Sequence, residues 1–445
     1  MLVLLLANSC ISFIFIWRRC LSRDGLEINH FMTFNIGFVF YWLLPWIIGL
    51  LGAYRESASM QLWYAVFDRI SGTNLFLYAL IALGVNLCFN LSAAVGTRIF
   101  SVKLARPRRI IFSRHFLWAY FSIGLVVAGL LAYLLRSELF SGYRNWQQMA
   151  GLGWRGTMTA VSVFLLSIAF INSVRIQELS HTSLSFWQAV RTPYFVIYGV
   201  VALLVLSLGG RLYFISSLFM LLAYRTIFFQ RVRLRVFGIF LAGVSVFSGI
   251  LGLIRIGIDV GRDSVLLNLL LEPLYTSFSA IHFLSEGSFP VFRWPIFLLS
   301  DFINLVPTII LPNKAELLLS PEKFGFVLFS PGGAQHSFFS FVVNFGWLGT
   351  LFAFAFIGMS LSWLKSRRES LLPAVMYVMI TGWLVFTFFR DPFSVSIVKN
   401  IFEFSILIPI IIVTSLGLLT LPGRYPSLFM DSIQYTSARY KGKIA

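Results

Sequence analysis

The sequence predicts an all-α polytopic membrane protein of about eleven transmembrane helices, with one long loop between the eighth and the ninth. Three observations predict it. Hydrophobic residues make up 58% and charged residues 12% of the 445, where a soluble domain has about 45–50% and about 25%. Aromatic residues reach 17%, and the mean hydropathy is +0.85. The apolar residues also fall in runs long enough to cross a bilayer, which takes about 20 residues at about 1.5 Å each. A water-soluble globule, a coiled coil and a disordered chain are excluded together.

In chain order the runs cover 1–17, 31–53, 73–96, 115–135, 156–174, 192–208, 212–227, 236–254, 340–363, 370–388 and 396–420. The first is not a cleaved leader, because Arg18, Arg19 and Arg23 follow it instead of preceding it. That order puts the N-terminus outside and residues 18–30 in the cytoplasm. The other loops agree. The segments then expected inside are 18–30, 97–114, 175–191, 228–235, 364–369 and 421–445. With Arg225 they carry 22 basic and 5 acidic residues, against 13 and 12 outside. The clearest anchor is 98–114, with Arg98, Lys103, Arg106, Arg108, Arg109 and Arg114. The net charge of +18 would point to nucleic acid in a soluble protein. Here topology and contact with membrane lipids account for it, and no nucleic-acid partner is expected. Cys10, Cys20 and Cys88 show neither metal-ligand spacing nor a disulfide framework.

The chain divides into helices one to eight over 1–254, a loop over 255–339, and helices nine to eleven with a cytoplasmic tail over 340–445. The loop holds two apolar stretches, 264–285 and 290–312. The first contains Glu272, Pro273 and His282, and the second Arg293, Pro295, Asp301 and Pro307. If both crossed, there would be thirteen spans, and the connector near Glu286 would be cytoplasmic without a Lys or Arg. Amphipathic or re-entrant elements lying on the outer face fit the charge rule better. So long a loop in a compact protein is usually functional.

Polar groups near a membrane are costly and are therefore candidates for function. Ser207-Leu208-Gly209-Gly210-Arg211-Leu212-Tyr213 breaks the chain between two spans at the outer face. Paired Gly allow a tight turn and close ligand approach, and an Arg fork suits phosphate; the plain alternative is a turn with a snorkelling Arg. Phe388-Phe389-Arg390-Asp391-Pro392-Phe393-Ser394 joins two later spans. It reads equally as an anion site or as a charge pair before a Pro-started helix. Lys399 and Glu403 follow at a spacing that shares a helix face. Pro331-Gly332-Gly333-Ala334-Gln335-His336-Ser337 precedes Asn344-Phe345-Gly346-Trp347-Leu348-Gly349. His336 suits acid–base work or phosphate donation, or a structural hydrogen bond; Gly346 and Gly349 suit close helix packing. Arg136, Arg144, Arg155, Arg255, Arg262 and Glu272 complete the outward set, with Asp259 and Asp263 able to neutralise Arg255 and Arg262. No phosphate-binding Gly-rich loop, HExxH, GxSxG or selectivity-filter motif occurs, and no matched pair of broken spans of the transporter kind.

These motifs, in this order, resemble the Wzy-type polymerases, the bacterial inner-membrane oligosaccharide repeat-unit polymerases that include the O-antigen and enterobacterial common antigen enzymes. The resemblance is carried by Gly209-Gly210-Arg211, by His336-Ser337 with Phe345-Gly346-Trp347-Leu348-Gly349, and by Arg390 with Phe393 and Ile401 to Pro409. It implies a GT-C-like fold and a metal-independent glycosyltransferase without a cofactor, its site facing the periplasm. The growing glycan passes from undecaprenyl pyrophosphate to a lipid-linked repeat unit, in polysaccharide (lipopolysaccharide) biosynthesis. Arg211 and Arg390 are then expected to bind the pyrophosphate and offset its developing charge. His336 would orient it or act as base, with Glu272 as the second base candidate. Tyr213, Arg255, Arg262, Arg136 and Arg144 would line the substrate site, apolar spans would hold the polyprenyl tails, and a separate chain-length regulator is the expected partner. An O-antigen ligase differs only in its acceptor. A flippase would need a polar path, and few ionisable residues fall in mid-span.

Overall fold

The protein is described from a computed structural model over residues 1–100, 114–136, 152–179, 185–208, 210–256, 264–286, 290–306, 310–319, 321–324 and 334–419. It is a helical bundle. Helix α1 (Leu2–Cys20) leads into a two-residue hairpin of β1 (Leu21–Ser22) and β2 (Gly25–Leu26). Then come α2 (His30–Phe38), a π-turn (Val39–Leu43), α3 (Leu44–Leu51), α4 (Ala58–Phe67), α5 (Gly72–Ile99), α6 (Arg114–Leu134) and α7 (Leu152–Leu179). Next are α8 (Phe186–Val190), α9 (Pro193–Ser207), α10 (Arg211–Phe228), α11 (Leu234–Ile256) and α12 (Ser264–Glu286). The loop region adds α13 (Ile296–Asp301) and α14 (Lys314–Leu317), and the chain closes with α15 (Ser337–Ser366), α16 (Leu371–Trp383), α17 (Thr387–Arg390), a π-helix (Ser394–Leu407) and α18 (Ile408–Leu419).

Among the described residues, eight helical stretches are long and apolar enough to cross a membrane: Leu2–Cys20, His30–Leu51, Gly72–Ile99, His115–Leu134, Gly156–Gln177, Arg211–Phe228, Ser337–Ser366 and Ser394–Leu416. Pro193–Ser207, Leu234–Phe247 and Leu371–Trp383 are shorter apolar helices. Each apolar run read from the sequence coincides with one of these stretches. Large side chains such as Phe13, Ile123, Val200 and Phe356 remain exposed on them, as lipid-facing surface requires.

Amides join helices where hydrophobic force is weak. Asn86 on α5 donates to Asn8 Oδ1 at 2.5 Å and to Ser12 at 3.0 Å on α1, while Asn35 on α2 and Asn90 on α5 exchange bonds at 2.8 and 3.1 Å. All of these residues are buried. Three segments expected on the cytoplasmic side meet one another. Leu26 and Val232 bond backbone to backbone at 2.8 and 3.0 Å, and Glu27 forms an ion pair with Lys365 at 2.5 Å, with Arg231 at 3.8 Å. Burial alone would raise the Glu27 carboxyl, but Lys365 outweighs it and holds it below its usual range.

Two features go beyond the sequence reading. Helix α12 packs into the main core, where Leu274, Phe278, Ile281 and Leu284 are buried and Trp63 of α4 donates to Ser277 at 2.9 Å, a depth the sequence did not specify. Helix α15 breaks at Gly346, whose φ of 72° and ψ of 171° are not helical. The segment 290–293 enters the break, with Trp347 N bonding Pro290 O at 3.0 Å and Arg293 N bonding Phe345 O at 3.1 Å. A Cβ at Gly346 would fall 2.4 Å from Val291 O. Its role is therefore a backbone break rather than helix packing.

Candidate functional site

Arg211 opens α10 immediately after the tight turn at Gly210, whose N–H donates to Val205 O at 2.9 Å. A Cβ at Gly210 would sit 2.5 Å from Val205 Cγ1, so glycine is what lets the chain turn here. Arg390 closes the one-turn helix α17, and its carbonyl accepts from Gln335 N at 2.7 Å. Glu272 lies inside α12, directly before Pro273. The fold brings the three together. Arg211 Nη2 and Arg390 Nε donate to the two carboxylate oxygens of Glu272, and Arg390 Nη1 donates to Asp391 Oδ1 at 2.8 Å.

The charges thus alternate Arg211, Glu272, Arg390, Asp391 and sum to zero. The side chains of Arg211, Glu272 and Arg390 keep 20%, 16% and 24% of their surface exposed, so the cluster is recessed yet reachable. Burial by itself would lower the Arg390 guanidinium, but Glu272 and Asp391 outweigh it and hold it firmly protonated. Burial pushes the Asp391 carboxyl up against the pull of Arg390.

Tyr41, in the π-turn after α2, is the member the sequence did not reveal. Its hydroxyl is buried without a hydrogen-bond partner, and it lies within electrostatic range of Glu272, Arg390, Asp391 and Arg211. Its ring stacks at 6.5 Å on Phe389, next to Arg390. In FVFYWLLPW nothing separates a packing Tyr from a site Tyr; the unspent hydroxyl is visible only in the fold.

His336 is brought close but turned to another task. Its ring is fully buried, and Nδ1 accepts from Phe338 N at 3.0 Å, which leaves the proton on Nε2 to be donated to Tyr41 O at 2.9 Å. Its own N–H donates to Ser279 at 2.8 Å. Burial pushes the imidazole down to about 4. A neutral ring with both nitrogens engaged caps α15 and props Tyr41; it is not presented to a substrate as acid, base or phosphate donor.

Tyr213 meets Trp383 edge-on at 5.6 Å and borders a void of only about 10 Å³, walled by Thr159, Ser162, Tyr198 and Ser217 and by apolar side chains such as Val163, Leu166 and Met220. Arg136 is exposed at the end of α6, its guanidinium 4.3 Å from the Tyr133 ring centroid. Arg144, Arg262 and Gly209 lie outside the described residues. Arg255 belongs to α11 and Arg155 to α7 by backbone, and their side chains lie outside the description. Among the described residues no group of three or more His, Cys, Asp or Glu could hold a metal ion.

Apart from the cluster, an apolar cleft of about 1280 Å³ runs between α15, α16, the π-helix and residues 292–298. Arg293 and Trp294 stand on it together with Phe393, three residues beyond Arg390, and Trp363 and Leu364 lie along its length. Trp294 is 86% exposed. From Gly349 to Leu364 the cleft follows α15 for about 22 Å at the helical rise.

The chain matches no family model, no curated protein and no solved structure.

Proposed function

We propose that this protein is a bacterial inner-membrane glycosyltransferase that polymerises glycan repeat units carried on undecaprenyl pyrophosphate. In this reading the chain crosses eleven times with a GT-C-like arrangement, and the Arg211–Glu272–Arg390 cluster faces the periplasm. The observation that carries the reading is the meeting of two guanidinium groups, far apart in sequence, on one recessed carboxylate. Two preorganised arginines form a diphosphate clamp that serves where other enzymes use a divalent metal. The apolar cleft that begins at Phe393, three residues beyond Arg390, has the length and lining for a polyprenyl chain.

The mechanism follows from competition for the arginines. An incoming diphosphate takes the N–H donors that Glu272 holds. The released carboxylate then accepts the proton of the acceptor hydroxyl, whose oxygen attacks the anomeric carbon of the donor glycan. The bond from that carbon to the diphosphate oxygen breaks, and the electron pair leaves with undecaprenyl pyrophosphate, stabilised by Arg211 and Arg390. Tyr41 has a hydroxyl free to donate to the same diphosphate.

The test is reconstitution with lipid-linked repeat units, without metal or nucleotide. A glycan ladder is expected from the native chain, and none from Arg211→Ala or Arg390→Ala variants that fold. Transfer only to a lipid A-core acceptor would assign a ligase instead, and movement of the lipid without polymer would assign a flippase.

A further inference from the structure

The apolar cleft is a groove with one polar end. One wall is α15, where Phe345, Gly349, Phe352, Phe356, Ser360 and Trp363 recur every three or four residues. The facing wall is the π-helix, with Phe393, Ile397 and Ile401 four residues apart. Among the described residues that line the groove, Arg293 is the one charged side chain and Ser360 the one hydroxyl. Arg293 stands at the Phe345 end. Its N–H donates to Phe345 O at 3.1 Å, and its guanidinium lies 5.6 Å from the Phe297 ring centroid. Leu298 N, a turn further on, donates to Asn344 Oδ1 at 2.8 Å. The break at Gly346 is thus what seats Arg293 at the head of the groove. Trp294 beside it is almost wholly exposed, and Phe352 and Phe356 are exposed along the open side. Arg and Trp at the end of an apolar surface mark a membrane–water boundary.

The lining dictates what fits. An occupant must be apolar over about 22 Å, the length of α15 from Gly349 to Leu364, and anionic at one end. An amphiphile with its phosphate at Arg293 meets both demands. Length then selects among such amphiphiles. One leaflet holds about 15 Å of hydrocarbon, half of the bilayer's roughly 30 Å. A glycerophospholipid chain headed at Arg293 would end with its leaflet and leave the Ser360 to Leu364 end of the groove empty. A polyisoprenoid tail is longer, and it is a single chain, as a groove between two helices requires.

We infer that this groove binds the acceptor lipid, with Arg293 holding its phosphate. The inference rests on the proposed polymerase reading, in which two polyprenyl carriers bind at once. Arg211 and Arg390 serve the donor, whose bond to the diphosphate breaks and loads charge onto it. The acceptor phosphate keeps all its bonds. A single cation positions it, and the open side of the groove admits it laterally from the bilayer.

The experiment uses the full chain in nanodiscs of neutral lipid, with undecaprenyl pyrophosphate carrying a photoreactive group at the end of its tail. Binding is read by native mass spectrometry and crosslinks by peptide mapping. Two molecules are expected on the native chain, one of them crosslinked around Ser360 to Leu364. Arg293→Gln weakens that molecule about tenfold or more, as loss of a charge-assisted contact does. It spares the other, which Arg211→Met weakens instead, and Arg293→Lys retains both. Farnesyl pyrophosphate has the same head with a short tail, and phosphatidylglycerol has a phosphate head with two leaflet-length chains. Each is expected to compete at least tenfold less well than the long lipid. Equal competition by the first would make the head alone the ligand, and by the second would make the groove a general lipid site. Either result overturns the inference, as does a tail that crosslinks to neither α15 nor the π-helix. In the polymerisation assay Arg293→Gln raises the acceptor KM, with the donor KM unchanged. A native ladder with the acceptor KM unaltered in Arg293→Gln would refute the inference and leave the arginine-clamp reading standing. Arg293-dependent lipid binding without any ladder from the native chain would refute the polymerase reading and leave the lipid site standing.

Discussion

Replacing Glu272 by Gln separates the two tasks assigned to it. Gln keeps the size of the side chain and removes the charge that Arg211 and Arg390 share. In the native chain a diphosphate must displace two charge-assisted hydrogen bonds, each contributing about 1.5–3 kcal/mol. Part of that loss is recovered when the released carboxylate meets water, leaving a net penalty of about 2 kcal/mol. Removing it tightens polyprenyl diphosphate binding roughly 30-fold, at about 1.4 kcal/mol per factor of ten. Turnover moves the other way: loss of a general base costs about 10²–10⁴-fold. The fold weakens too, by about 3 kcal/mol, because two partly buried cations lose their shared anion. Saturating ligand returns about that much, since roughly a hundredfold excess over Kd adds about 2.7 kcal/mol. Binding and unfolding in nanodiscs, alongside glycan ladders from lipid-linked repeat units, measure all three quantities. Weaker ligand binding, or turnover within about threefold of native, would refute the displacement mechanism.

Three further outcomes follow from single contacts. His336→Asn changes the pH dependence of stability rather than of activity. The unfolded imidazole takes a proton from its ordinary value near 6.5, the folded one only at about 4. Native stability therefore falls as pH drops from about 6.5 to about 4, and the variant loses this slope; a polymerisation profile with a His336-dependent limb between pH 6 and 8 would contradict the assignment. Gly346→Ala forces a side chain into the Val291 carbonyl at a positive φ. It is expected to cost about 3 kcal/mol or more, seen as loss of folded protein in detergent, whereas a native-like unfolding curve would show that the break relaxes. Glu27→Gln removes an anion bonded to Lys365 at 2.5 Å, with an expected loss of about 2 kcal/mol. Because the folded Glu27 carboxyl is held low, its contribution is present above about pH 4.5 and fades as pH falls further. A Glu27→Gln chain with Lys365→Met should lose less than the two singles combined; strict additivity would mean the pair is uncoupled.

The membrane spans were legible from the sequence because bilayer solvation acts on each segment by itself. A run of apolar residues identifies a helix wherever its neighbours lie. Arg211 and Arg390 stood out for the same local reason, as charges at the ends of apolar runs. What each of them touches is a matter of packing. Glu272 read as one costly residue in a loop, and only the insertion of α12 into the core put it between the two arginines. His336 read either as chemistry or as a structural hydrogen bond, and the fold occupies both its nitrogens; Tyr41 carried no mark in the sequence, and the fold leaves its hydroxyl unspent. Gly346 carried no mark of a break, because the segment that enters it comes from outside its own helix. Hydropathy and charge are properties of a segment, whereas a hydrogen bond between distant residues depends on which helices lie side by side, and that was decided only when the bundle closed.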